Sequence, residues 1–252
     1  MRTMLFGADS GPLSTEVRKQ PLLELMDPES DARPDVVICF GGDGTLLTAE
    51  QRWPGVPKAP IRNSRRGHRC IPHPPAMVIE RLAKGTLCPH AFLKAECRID
   101  TAESPPHGLP SSPLLVAMNE FNVHMGLVNS AVRFRLWLNG RPYQDSEEIL
   151  GDGFLVSTPF GSTAYYNQIT RGLFQEGLGI AIKATNAHTD HVVVPESTEI
   201  KAEITRGPAV LAIDNALEYH RLDAGDTLTI RRHPHAAHVL SWDPIWHPWD
   251  IF

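Results

Sequence analysis

Apolar positions follow two rhythms along the first ninety residues. Short, nearly unbroken apolar runs, TMLFGA (3–8), DVVICF (35–40) and KAPIRN (58–63), have the length of buried strands. Between them stand stretches with helical spacing. STEVRKQPLLELM (14–26) predicts a helix with Ser14 as its N-cap and Pro21 as a blemish, and TLLTAEQRW (45–53) predicts a helix start. PAMVIERLAKG (75–85) predicts a helix with Ile79 and Leu82 on one face and Gly85 as its terminator. Strand and helix in alternation argue for a parallel sheet with helices packed on it.

Near residue 91 the period shortens to two. AFLKAECRID, AVRFRLWL, GFLVST, STEIKAEIT, AVLAID, DTLTIRR and AAHVLSW all alternate or nearly so, as half-buried strands do. AVRFRLWL runs into Asn139-Gly140, a hairpin signal because both residues accept positive φ. The expected fold class is therefore α/β plus β, with a parallel-sheet α/β domain over 1–90 and a mostly antiparallel β-sandwich over 91–240. The Pro-rich TAESPPHGLPSSP (101–113) has β segments on both sides, so it reads as a loop inside the second domain. The remaining 241–252, with WDPIWHPWDIF, is too apolar to stay in solvent and should dock on a domain or a subunit.

Composition adds bounds. At 252 residues, 42% hydrophobic and 21% charged, the chain has the make-up of a soluble globular protein. A formal charge of −5 gives no global attraction for nucleic acid, so any basic site must be local. No apolar run approaches the ~20 residues that span a bilayer, and neither a nucleic-acid nor a membrane partner is expected. The opening MRTMLFGADSGPLS lacks the apolar core of a signal peptide. Cys39, Cys70, Cys88 and Cys97 show no CxxC spacing, which fits free thiols in a reducing cytoplasm.

Two segments carry chemistry. Gly41-Gly42-Asp43-Gly44-Thr45 follows a buried strand and opens a helix, where glycines let backbone N–H groups and the positive helix end approach phosphates. The plainer alternative is a tight turn with Asp43 as a cap. The second segment, GDGFLVSTPFGSTAYYNQITRG (151–172), passes from a turn through a strand into a helix. Ser162, Thr163 and Tyr165 there either cap and pack or form an adenine and ribose cradle.

GGDGT resembles the loop of several families that phosphorylate hydroxyls, among them the NAD kinases and the diacylglycerol and sphingosine kinases. The 151–172 string resembles the DG-x-x-x-STP-x-GSTAY segment of the NAD kinases, and MNEFNVHMG (118–126) resembles that family's NE segment, in the expected order. The D-N-A turn within 209–216 weakly resembles a later DG hairpin. The resemblance implies a nucleotide cleft between two domains, phosphoryl transfer from ATP to the 2′-hydroxyl of the adenosine ribose of NAD, and a homodimer or homotetramer. It implies that Asp43 acts as general base or orients that hydroxyl. Gly41, Gly42, Gly44 and Thr45 would hold the donor phosphates, with Mg²⁺ bound through those phosphates and no dedicated protein metal site. Asn119 and Glu120 would accept the ribose hydroxyls, and Asp152 would reach the nicotinamide end. Ser162, Thr163, Ala164 and Tyr165 would line the adenine side.

The departures are specific. Where the family usually has a glycine-rich third loop, this chain has IRNSRRGHRC (61–70), whose SRRGHRC resembles a variant of the mitochondrial-type branch. Arg65, Arg66 and His68 there suit phosphate, since guanidinium groups bind it bidentately; the plainer alternative is a solvated basic loop. Phe160 stands where the family usually has Thr or Ser. The N-terminus looks short for the usual opening strand and helix. A non-catalytic NAD(P)-binding relative and a lipid or small-molecule kinase stay open as alternatives. HPHAAH (233–238) and HTDH (188–191) invite a metal reading, but strand alternation puts His233 and His235 on one face and His238 on the other.

Overall fold

The computed structural model describes residues 1–7, 10–63, 69–102, 113–146, 148–185 and 190–243. The chain divides into two compact units, Met1–Phe92 together with His235–Phe252, and Leu93–Pro234. The first unit is a six-stranded sheet among the described residues. Its central strand, Val36–Gly41, pairs in parallel with Arg2–Phe6 on one side and Lys58–Arg62 on the other. Val36, Val37, Ile38 and Cys39 are all buried, because helices cover both faces of a parallel sheet. The helix Asp43–Arg52 is tied to the sheet by a buried ion pair between Glu50 and Lys58, and Lys58 Nζ also donates to Trp53 O at 2.7 Å.

Four expectations change here. The helix expected over 14–26 is only Leu13–Arg18, and Glu24–Leu25 instead pairs in parallel with the first strand. Pro21 has no N–H to continue the ladder and disfavours a helical residue before it, so the chain turns at Lys19–Leu23. Ser14 is not the N-cap, which is Pro12; its hydroxyl donates to Gly11 O at 2.6 Å. The N-terminus is nonetheless long enough for an opening strand and helix. Finally, AAHVLSW, expected in the β-rich half, supplies Ala237–Ser241 to this first sheet. It pairs antiparallel with Cys88–Phe92 and in parallel with Lys58. Alternation reports one buried face; it cannot say which sheet a strand joins. Beyond this strand Trp242 stacks on His73 at 3.9 Å and carries the Arg81 guanidinium 4.2 Å above its ring. Residues 244–252 of the tail lie outside the described residues.

The second unit is built from two antiparallel sheets. One runs in the order Arg141–Pro142, Val132–Leu138, Ile200–Arg206, Thr227–Arg232, Ala95–Asp100, Leu115–Ala117. The other runs His191–Val194, Leu178–Lys183, Gly153–Ser157, Glu120–Met125, Ala209–Ile213, Tyr219–Leu222. Their inner faces share one core in which Phe134 and Phe154 meet at 4.8 Å between ring centroids. Asn139 and Gly140 form the expected hairpin turn with φ of 52° and 73°. The strand Gly153–Ser157 departs from alternation and is buried throughout. Its outward residue Leu155, with Ala181, is covered by Tyr166 of the short helix Tyr165–Thr170. Among the described residues, no helix is long and apolar enough to cross a membrane.

Candidate functional site

In the first unit the glycine turn links the central strand to the helix Asp43–Arg52. Gly42 is the N-cap, extended at φ −108° and ψ −169°, and its carbonyl accepts the Thr45 N–H at 3.0 Å. Gly41 must be glycine. A Cβ there would lie 2.1 Å from Thr45 Oγ1, so any side chain would drive Thr45 out of its place under the turn. Gly44 is exposed and Gly42, Asp43 and Thr45 are half-buried, so the positive end of the helix faces outward here.

Asp43 Oδ1 accepts the backbone N–H of Arg69 at 2.8 Å and the Cys70 thiol at 3.7 Å. Burial, with the charge of Asp43 behind it, pushes the Cys70 thiol up to about 12, so it stays protonated and donates. Burial draws the Arg69 side chain down to about 10, and Asp43 opposes that shift. The sequence reading placed Arg69 in a basic run; its backbone amide is what fixes the aspartate. Arg65, Arg66 and His68 lie outside the described residues.

In the second unit Asn119 and Glu120 sit where the chain enters the Glu120–Met125 strand. The carboxylate of Asp214 grips this entry by three backbone donors: Met118 N–H at 2.8 Å, Asn119 N–H at 2.7 Å and Glu120 N–H at 3.0 Å. Asp214 has φ of 47°, a left-handed conformation that Asp tolerates better than most residues. Sequence reasoning saw only a weak turn signal there and missed this clamp. Glu120 is 8% exposed, and its Oε2 is buried without a hydrogen-bond partner among the described residues. Burial first, then the charge of Asp214, pushes its carboxyl up to about 8. At neutral pH this favours the protonated form, which offers one oxygen as a donor and the other as an acceptor to a ligand. The family resemblance made it an acceptor of ribose hydroxyls.

The turn after Gly153–Ser157 is locked against Asn119. Thr158 N–H donates to Asn119 O at 2.9 Å and Thr158 Oγ1 to Met118 O at 2.6 Å. Gly161 approaches so closely that a Cβ would lie 2.3 Å from Asn119 O. Ser162, expected to line the adenine side, is fully buried, and its hydroxyl lies 2.8 Å from Pro159 O and 3.0 Å from Phe174 O. It holds the turn together instead. Thr163 and Ala164 are half-buried and Tyr165 is exposed at 37%, so these three remain accessible to a ligand. Phe160 is buried at 4%, which makes it part of the packing under the turn. Asp152 is half-buried, with its N–H donating to Lys183 O at 2.8 Å. Lys183, unnoticed in the sequence, is a lone charge at the end of the buried run LGIAIK. Its ammonium donates to Asn122 Oδ1 at 2.6 Å.

The family model for the ATP-NAD kinase C-terminal domain matches residues 118–241, which include Asn119, Glu120, Asp152, the 161–165 turn and Asp214. An NAD kinase from Acidithiobacillus ferrooxidans is 30% identical over 239 residues, 87% of this chain and 74% of the relative. The chain belongs to the NAD kinase family. An NAD kinase from Methanospirillum hungatei is 27% identical over 88% of this chain and 81% of its own length. The NAD kinase fold is matched as well. Yeast NADH kinase, solved with NADH, superposes with a TM-score of 0.83 over 97% of this chain and 84% of its own, at 16% identity. An NAD kinase from Archaeoglobus fulgidus, solved with ATP, gives 0.73 over 95% and 93%, at 19% identity.

Among the described residues, no group of three or more His, Cys, Asp or Glu is placed to hold a metal. Asp43 is the one carboxylate of the glycine turn. That donor set suits Mg²⁺, which is commonly held by one or two carboxylates plus substrate phosphates.

Proposed function

We propose that the protein transfers the γ-phosphoryl group of ATP to the 2′-hydroxyl of the adenosine ribose of NAD, giving NADP and ADP. The ribose oxygen forms the new bond to phosphorus, the bridging oxygen of ADP leaves, and the hydroxyl proton goes to Asp43. The observation that carries the reading is the half-buried carboxylate at the head of a glycine turn, one oxygen held by the Arg69 N–H, in a chain of this family. Phosphoryl transfer asks mainly for positioning and charge stabilisation, so one fixed carboxylate is sufficient protein chemistry.

Gly41, Gly42, Gly44 and Thr45 take the donor phosphates at the helix N-terminus, with Arg65, Arg66 and His68 assigned the same anion. Asn119 and Glu120 hold ribose hydroxyls, and the orphan Glu120 Oε2 supports this because a buried polar atom without a partner is costly until a ligand satisfies it. Asp152 takes the nicotinamide end, and Thr163, Ala164 and Tyr165 take the adenine. Mg²⁺ neutralises charge on the donor phosphates when bound. A homodimer or homotetramer belongs to the same reading and is tested by sedimentation.

The test is NADP formation by the purified chain with Mg²⁺ and ATP, crossed with NAD and NADH. Asp43→Asn should lower turnover by about 10²–10⁴-fold while moving NAD affinity less than threefold. Equal losses of rate and affinity would make Asp43 a structural residue.

A further inference from the structure

One charged side chain in the second unit has no part in the roles above. Lys183 ends the strand Leu178–Lys183 and stands opposite Gly153, which in turn stands opposite His124. Gly153 puts no side chain on that row of the sheet. The lysine can therefore run across the middle strand, and its Nζ reaches Asn122 Oδ1, two strands over, at 2.6 Å. Asn122 and Glu120 share one face of their strand, about 7 Å apart, so the ammonium lies close beside the residues assigned to the ribose. Lys183 is only 6% exposed.

An ammonium has three donors. Among the described residues it has one hydrogen-bond acceptor, the neutral Asn122 amide. The Tyr165 ring centroid lies 5.8 Å away, and Asp152 attracts the ammonium through charge. A buried cation held by a single neutral acceptor is costly to keep. Burial accordingly draws its pKa down to about 7, against the opposing charge of Asp152. An arriving anion would satisfy the two remaining donors.

We propose that Lys183 is a specificity-determining contact that binds a phosphate of the bound dinucleotide. This rests on the NAD kinase reading above. The phosphate is either the pyrophosphate, present in NAD and NADP alike, or the 2′-phosphate that only the product carries. Asn122 is the positioning residue that holds the ammonium toward it.

The test is calorimetric binding of NAD, NADP and adenosine to the full chain and to Lys183→Met. Loss of about tenfold or more in affinity for both dinucleotides, with adenosine unchanged, supports a pyrophosphate contact. The same loss for NADP alone supports a 2′-phosphate contact. Unchanged dinucleotide affinity overturns the proposal, and so does an equal loss for adenosine, which would mean that the lysine only packs the site. Lys183→Gln, which keeps an uncharged hydrogen-bond donor on a similar side chain, must give the same ranking and stands in if the methionine variant fails to fold. Wild-type chain that binds no dinucleotide would instead refute the NAD kinase reading itself.

Discussion

Replacing Glu120 by Gln should make the unliganded protein more stable at neutral pH, and the size of the gain can be worked from its surroundings. The carboxyl is 8% exposed, one oxygen has no partner among the described residues, and the Asp214 carboxylate is bonded to its own N–H. Ionisation is therefore opposed by burial first and by a like charge second, which raises the group from 4.5 to about 8. In the unfolded chain the acid ionises near its ordinary value. Between those two values the folded protein holds a proton that the unfolded chain has lost, so stability falls as pH rises through this window. At 1.36 kcal/mol per unit, the penalty is roughly 1 kcal/mol at pH 5 and roughly 3 kcal/mol at pH 7. Glutamine copies the protonated acid in shape and never ionises. Urea unfolding of both proteins at pH 5, 6, 7 and 8 without nucleotide reads the difference directly, since other titrations are common to both. Glu120→Gln should gain on the wild type steadily across the series. A difference flat to within about 0.5 kcal/mol would mean that the carboxyl is not held protonated, and the reasoning would fail.

Asp214→Asn keeps the shape of the clamp but weakens three backbone donors at once; a loss of about 1–3 kcal/mol is expected by urea unfolding. Because Asp214 is the second cause of the Glu120 shift, the same variant should move the pH window of the preceding experiment downward. Gly161→Ala would place a methyl 2.3 Å from Asn119 O, backbone that cannot swing aside. Overpacking of about 1–3 kcal/mol should appear as a lower Tm, and NAD affinity should fall at least tenfold; full activity with an unchanged Tm would show that the turn is not held where described. These join the Asp43→Asn and Lys183→Met tests.

The parallel half of the fold was largely legible because runs such as VVIC are buried on both faces, and their length and flanking turns mark strands directly. The hairpin at Asn139-Gly140 was legible for a local reason, the positive φ that its residues accept. What failed was long-range. AAHVLSW has the right period, yet its partners are Cys88–Phe92 and Lys58, far away in the chain. The site divides the same way. Asp43 and the Asn119-Glu120 pair stood out by motif, and Ser162 did too, although its hydroxyl is spent within its own turn. Asp214 and Lys183 carry no motif. Their part depends on cross-strand register, which brings Asp214 to Met118–Glu120 and Lys183 to Asn122 only after the sheet has formed. A lone lysine closing an apolar run was the one available signal.

The strand Ala237–Ser241 lies between Lys58–Arg62 and Cys88–Phe92 in the first sheet, and this sets a timetable for synthesis. When Phe92 leaves the ribosome, the strand it ends has no neighbour to pair with, and its partner emerges only after the whole second unit, roughly 140 residues later. At ordinary elongation speeds that is about 7–30 s. The inserted β unit is continuous in the chain and can close during this wait, whereas the nascent half-sheet keeps an open edge at Lys58–Arg62. Polypeptides terminated before Ala237 would keep that edge for good, and their fate would be capture by chaperones or proteases.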